Sequence, residues 1–267
     1  MTRSNIARAF LVLAAGLVPP QLAGQLAHPE PGSGARLEIG LEKPFLDGFW
    51  DDVGFASPLL GVRARLPVGG RGTLFVDMGL AHASIGSKTS TALGNLTAGL
   101  VFGDADATSG WVSLTLPTAT DWGDDDFAVG YAFSADPMRL ERYLPDLAAV
   151  EAGVRFMPSV TPAGSVGARL GVQVVAPTEG DADAEIFARY ALFGRRRAGR
   201  VRVGAELEGY AIVSESGLDL GERTLHTVTG SIGLPEAGGA PELYVRIPVD
   251  GDLGEVLNVA VGLRMSF

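Results

Sequence analysis

From Ala35 to Phe267 the chain alternates apolar and polar positions with a period of two, interrupted at short intervals by Gly, Pro, Asp and Asn. Arg36, Glu38 and Gly40 interleave with Leu37, Ile39 and Leu41. From Val256 onward, Asn258, Ala260, Gly262, Arg264 and Ser266 interleave with Leu257, Val259, Val261, Leu263, Met265 and Phe267. A strand sends successive side chains to opposite faces, so the pattern predicts strands with one apolar and one polar face. Between turn signals, further segments of this kind fall at 59–67, 73–81, 93–103, 111–117, 148–158, 165–176, 183–193, 200–213, 224–234 and 242–248, which makes twelve.

The connections alternate between two ends. Turns at 68–72, 104–110, 159–164, 194–199 and 235–241 share one end; loops at 42–57, 82–91, 118–146, 177–182, 214–223 and 249–255 share the other. An even-stranded antiparallel barrel with both termini at the short-turn end requires this parity. The expected fold is therefore an all-β, transmembrane, antiparallel up-and-down barrel of twelve strands. Segment 127–134 also alternates and is expected to form a hairpin or lid piece inside loop 118–146. Counting it in the wall together with one missed strand gives a fourteen-stranded alternative.

Charge separates the two faces. The fifteen charged residues of the strand interiors, Arg36, Glu38, Arg63, Arg65, Asp77, Glu151, Arg155, Arg169, Glu185, Arg189, Arg202, Glu206, Glu208, Arg246 and Arg264, all lie on the polar face. Arg or Lys turned to lipid at the bilayer midplane costs about 2–4 kcal/mol, so the charge-free face is expected to meet lipid and the charged face to line the lumen. A soluble lipocalin-like barrel or a β-sandwich also alternates, with its apolar face inward. Strands of roughly ten residues favour a tilted membrane span. Gly61, Gly79, Gly99, Gly153, Gly167, Gly171, Gly204 and Gly262 share the charged face, as a crowded lumen requires.

Ahead of the barrel, Arg3 and Arg8 make a basic region before an apolar run from Ala9 to Val18, followed by Pro19 and small residues to Gly24. This predicts a cleaved secretory signal over 1–24, with the boundary extending to 27, then a segment 25–34 and the barrel over 35–267. The run is too short for a membrane helix, which needs about 20 residues. The absence of Cys excludes disulfides and thiolate chemistry, and only three His leave little for a classical zinc site. A net charge of -10 argues against nucleic acid as a partner. The outer loops hold nineteen acids against five basic residues. Among them Asp121, Asp124, Asp125 and Asp126 group hard oxygen ligands suited to Ca²⁺, although without EF-hand spacing. The simpler use of this charge is bridging by divalent cations to lipopolysaccharide. No other cofactor is expected. Trp50 and Trp122, also in outer loops, offer apolar contacts at the mouth.

The final strand, ending in Phe267, resembles the terminal signature of Gram-negative outer-membrane barrels. That resemblance implies an outer-membrane location, recognition by the barrel-assembly machinery, and lipid and lipopolysaccharide as neighbours. Leu116-Pro117-Thr118, Ala176-Pro177-Thr178 and Arg246-Ile247-Pro248 are similar to strand-end motifs of a barrel family associated with phenol degradation. This implies uptake of small molecules, including aromatic ones, although Pro also ends a strand simply because it has no N–H for the ladder. His82 and Ser84 continue the lipid-facing parity of their strand and resemble the His-x-Ser of outer-membrane phospholipase A and lipid A deacylases. A His base beside a Ser nucleophile needs a third, orienting group. Here Ile85 stands where those families carry Asn, and Asn95 falls on the lumen face. The leading expectation is a passive channel or transporter for small polar, anionic or aromatic solutes. The alternatives are a structural or surface-interaction barrel with a plugged lumen, and a lipid-face Ser/His hydrolase.

Overall fold

The computed structural model describes residues 34–46, 53–54, 57–104, 106–119, 127–179, 183–214, 223–250 and 257–267. The expected signal, Trp50, Trp122 and the candidate Ca²⁺ ligands Asp121, Asp124, Asp125 and Asp126 lie outside the described residues. The strands are β1 (Arg36–Leu46), β2 (Leu59–Val68), β3 (Gly72–Ile85), β4 (Lys88–Leu93), β5 (Leu96–Gly103), β6 (Thr108–Leu116), β7 (Leu147–Thr161), β8 (Gly164–Pro177), β9 (Glu185–Ala198), β10 (Val201–Ile212), β11 (Thr224–Gly233), β12 (Glu242–Pro248) and β13 (Leu257–Ser266). Helix α1 (Phe127–Ala135) and a 3-10 turn (Pro137–Arg142) lie between β6 and β7.

Twelve strands close into one antiparallel ring, because β1 pairs with both β2 and β13. Reciprocal backbone bonds between Leu37 and Phe267, 3.1 and 2.9 Å, finish the seam at the end that carries the termini. Among the described residues, closure leaves no unpaired sheet edge around the ring, the condition for β-structure in hydrocarbon. The faces divide as a bilayer demands. Leu170 and Leu192 are each 62% exposed on the outside, whereas Arg169 and Arg189 are 3% and 5% exposed within. A soluble barrel would have the reverse arrangement.

Two expected loops fold differently. Segment 82–91 is largely strand: β3 continues to Ile85, turns at Gly86 (φ 59°) and returns as β4 from Lys88. Glycine takes this left-handed conformation without steric cost. β3 therefore pairs with β5 over Gly72 to Asp77 and with β4 over Leu80 to Ile85, and β4 stands as an extra strand outside the ring count. Segment 127–134 is helix rather than a hairpin. Ala128, Val129, Tyr131, Ala132 and Ala135 are all buried, so α1 is enclosed on most sides and shows no single apolar stripe.

The inward glycines make room for large inward side chains. A Cβ at Gly99 would lie 2.6 Å from the Phe75 ring, and one at Gly171 would lie 3.1 Å from Trp111. Gly61, Gly79 and Gly94 do the same for a part of the connection between β6 and β7 that enters the barrel.

Candidate functional site

The connection between β6 and β7 starts at the end opposite the termini and folds back inside the ring as a plug. α1 packs through Ala128, Val129, Ala132 and Ala135 against Ala81, Ala83 and Ala92 of the wall, where small residues on both sides let backbones approach closely. Tyr131 Oη donates 2.6 Å to the Ser57 carbonyl. Asn95, 1% exposed, holds both stems of the connection: its Nδ2 donates to the carbonyls of Glu141 and Leu144, and its Oδ1 accepts from the amides of Thr118 and Ala119, all at 2.7 Å. Asn95 breaks the strand alternation beside Gly94, and that irregularity is its one visible signal in the sequence.

Below α1, the 3-10 turn is clamped to three parts of the wall. Arg246 on β12 donates to Asp136 at 2.7 Å, to the Ala135 carbonyl at 2.9 Å and to Glu42 at 2.6 Å. Arg142 lies 3.2 Å from Asp77, which Arg63 also holds at 2.7 Å. Arg189 on β9 donates to the Met138 carbonyl at 2.8 Å and stands 3.8 Å from Glu141. Burial pushes the Asp136 carboxyl up, but Arg139, Arg246 and Arg142 outweigh it and hold the group well below the usual carboxylate range. Removing one partner of a buried pair of this kind typically costs about 3–5 kcal/mol, since the other charge is left uncompensated.

Most of the remaining residues expected in the lumen lie below the plug, towards the termini. Arg65 pairs with Glu38 at 3.1 Å, Arg169 pairs with Glu206, and Arg189 also faces Glu151 and Glu208, each at 3.6 Å. Arg155 and Arg169 lie over the Phe193 ring, 5.2 and 5.5 Å from its centroid. Arg264 is 3.9 Å from Glu242. Arg36 and Arg202 are exposed near the terminal end, and Glu185 accepts from Ser214 at the opposite mouth. Glu42, Asp136, Arg139, Glu141 and Arg142 were expected in acidic outer loops; they are folded into the lumen instead. Sequence pattern could not reveal the four on the connection as wall partners, because their positions depend on its inward course.

Between plug and wall lie chambers of about 80 Å³, around Glu42, Arg63, Asp77, Asp136 and Arg246, and about 30 Å³, around Thr97, Ser113, Glu151 and Arg189. They suit a few waters, which need roughly 10–15 Å³ each. A larger chamber of about 290 Å³ opens at the plug end, between Met138, Glu141 and Leu144 on one side and β7 to β10 on the other.

On the outer face, His82 Nδ1 is 2.8 Å from Thr91 Oγ1 across the β3–β4 hairpin, and the Ser84 amide donates 2.9 Å to Ser57 Oγ. Asn95 faces the plug and does not orient His82. A different outward trio brings three strand regions together: Tyr190 Oη lies 2.5 Å from His226 Nε2, and His226 Nδ1 lies 3.0 Å from Asp250. Phe267, directly after β13, is 61% exposed. No group of three or more metal-ligating side chains occurs among the described residues.

No protein-family profile and no curated protein matches the sequence. Solved structures do match the fold. The COG4313 outer membrane channel from Pseudomonas putida F1 superposes with a TM-score of 0.57 at 14% identity, covering 90% of this chain and 96% of that one. LpxR from Salmonella typhimurium gives 0.51 at 12% identity over 87% of this chain and 99% of its own. The translocator domain of the autotransporter NalP from Neisseria meningitidis gives 0.50 at 11% identity, covering 99% and 95%. At these identities the likeness is one of fold, and it is a likeness to outer-membrane β-barrels.

Proposed function

We propose that this chain is a gated outer-membrane channel for small solutes in a Gram-negative bacterium, closed at rest by segment 127–146. The observation that carries the reading is the plug itself, a helix and a 3-10 turn held inside a closed ring by polar contacts to Arg246, Arg189 and Asp77 on three separate strands. The apolar exterior, the ring topology and the likeness to an outer-membrane channel support the location and the class. The signal pattern and the Phe267 strand fit export and delivery to the barrel-assembly machinery, with lipid and lipopolysaccharide around the inserted wall.

The chambers beside the plug are too small to pass more than water and small ions, so solute passage requires the turn Pro137–Arg142 to leave its seat. Among the expected solute classes, the apolar lining of the larger chamber favours aromatic or other apolar molecules over anions. In planar bilayers the refolded mature chain should show long closed periods with rare openings. Asp136→Asn combined with Arg142→Gln, which frees two clamps, should raise the open fraction at least tenfold, as expected for losing more than 1.4 kcal/mol of seating energy. The density of ion pairs around the plug favours one second reading, a permanently sealed structural barrel. Absence of conductance in both this variant and one lacking residues 127–142, with each shown to be folded by heat-modifiable gel migration, would establish that reading in place of the channel.

A further inference from the structure

We propose that the chamber of about 290 Å³ at the plug end is a binding site for a small apolar molecule carrying one positive charge, such as an arylalkylamine, and that the site exists only while the plug is seated. This rests on the reading of segment 127–146 as a plug and adds a ligand to it.

The lining supplies the recognition. Leu147, Val175, Phe187 and Tyr210 form the wall side, with Phe187 and Tyr210 in edge-to-face contact at 5.4 Å and 87°. Met138 and Leu144 close the chamber from the plug side. An aromatic or short aliphatic body fits such a surface, and the volume, at the lower edge of the roughly 300–1,000 Å³ usual for small-molecule sites, limits it to about one ring with a short chain. The charged groups at the margin share one sign: Glu141, Asp183 and Glu185 line the chamber, with Gln173 as a neutral member and no Lys or Arg among the described lining residues. A carboxylate ligand meets repulsion there. An ammonium group meets charge-assisted acceptors.

Glu141 is the carboxylate best placed to receive that ammonium. Its wall partner Arg189 stands off at 3.8 Å, faces Glu151 and Glu208 as well, and gives its 2.8 Å hydrogen bond to the Met138 carbonyl. The guanidinium is thus shared among three acids, which leaves Glu141 weakly held. Met138, Glu141 and Leu144 belong to the connection that forms the plug, so displacing it removes one side of the chamber. A ligand that binds one state better shifts the population towards that state, so occupancy must favour the closed channel. The chamber therefore acts as a loading site in which a solute waits ahead of the plug and holds it shut until the plug moves.

The test uses the refolded full barrel in lipid nanodiscs and isothermal titration with 2-phenylethylamine, its neutral analogue 2-phenylethanol and the anion 3-phenylpropionate. The amine should bind about tenfold tighter than the alcohol, the size of one partly exposed charge-assisted contact, and the anion weakest. Glu141→Gln should erase the preference for amine over alcohol. Val175→Trp and Met138→Trp, which fill the chamber from opposite sides, should each abolish binding of both, and the variant lacking residues 127–142 should lose it too. Equal binding of amine and alcohol to the wild type would overturn the charge assignment. Wild-type affinity in both tryptophan variants, or in the plug-deleted barrel, would overturn the site. A barrel that never conducts yet binds the amine as described would refute the channel reading and leave this site standing.

Discussion

At the residue scale, the plug depends on a notch cut into the wall by missing side chains. A Cβ at Gly79 would lie 2.6 Å from Tyr143 Oη and 2.8 Å from Arg142 Nε, and one at Gly61 would lie 2.7 Å from Arg142 Nη2. Gly79→Ala should leave the ring intact, since alanine fits a strand, but overpack the seat at a cost of about 1–3 kcal/mol to plug docking. Single-channel recordings should show a matching rise in open probability; an unchanged closed occupancy would rule out the notch. Asp136 gives the plug a pH dependence with a definite sign. Its carboxyl is held below the ordinary range by Arg139, Arg246 and Arg142, so its contribution to docking is complete above the undocked value of about 4 and is lost as pH falls through the lowered one. Open probability should stay flat from neutral pH to about 4 and climb only below that. Opening that begins near pH 6 would point to a histidine instead.

At the element scale, what the sequence discloses follows from contrast between the two faces of each strand. β7, with Glu151 and Arg155 facing inward and Val150, Val154 and Phe156 facing outward, is legible because lipid and lumen demand opposite chemistry from neighbouring residues. β4 carries Lys88, Thr89, Ser90 and Thr91, polar on both faces, so it reads as a loop although it pairs with β3 throughout. β1 reads as ending at Leu41 because Glu42, Lys43 and Pro44 look like a turn; in the barrel Glu42 meets Arg246, and Pro44 is buried opposite Ala260. α1 is the most consequential misreading. Its sequence Phe-Ala-Val-Gly-Tyr-Ala-Phe-Ser imitates a strand because enclosure by the lumen removes the polar face that would have revealed a helical period. The wall half of the candidate site was therefore visible in the sequence, and the plug half was not. Nothing local marks a loop that folds inward, and its acids look like any solvated outer loop until their arginine partners are known.

At the scale of the whole molecule, the charges of wall and plug determine what an opened pore would select. Counting lumen arginines against strand acids alone predicts a clear anion preference, but the folded barrel adds Glu42 and Glu242 to the wall, opposite Arg246 and Arg264. Residues 127–142 remove no net charge when they leave, since Asp136 and Glu141 depart with Arg139 and Arg142. Most arginines of the wall left behind face an acid, with Arg36 and Arg202 exposed near the terminal end, where salt screens them over about 8 Å at physiological ionic strength. An opened variant such as Asp136→Asn with Arg142→Gln should thus be only weakly anion-selective across a KCl gradient, and less so as salt rises. Matched pairs also make the response to mutation antisymmetric. Arg63→Gln uncovers Asp77 and should move the reversal potential towards cations; Asp77→Asn uncovers Arg63 and should move it towards anions by a similar amount, since a narrow passage weakens screening of either bare charge. The double change restores neutrality and should return the potential to that of the parent. Shifts of the same sign from both single changes, or none from either, would mean that ions pass without meeting this pair, and the pore would have to be sought elsewhere in the barrel.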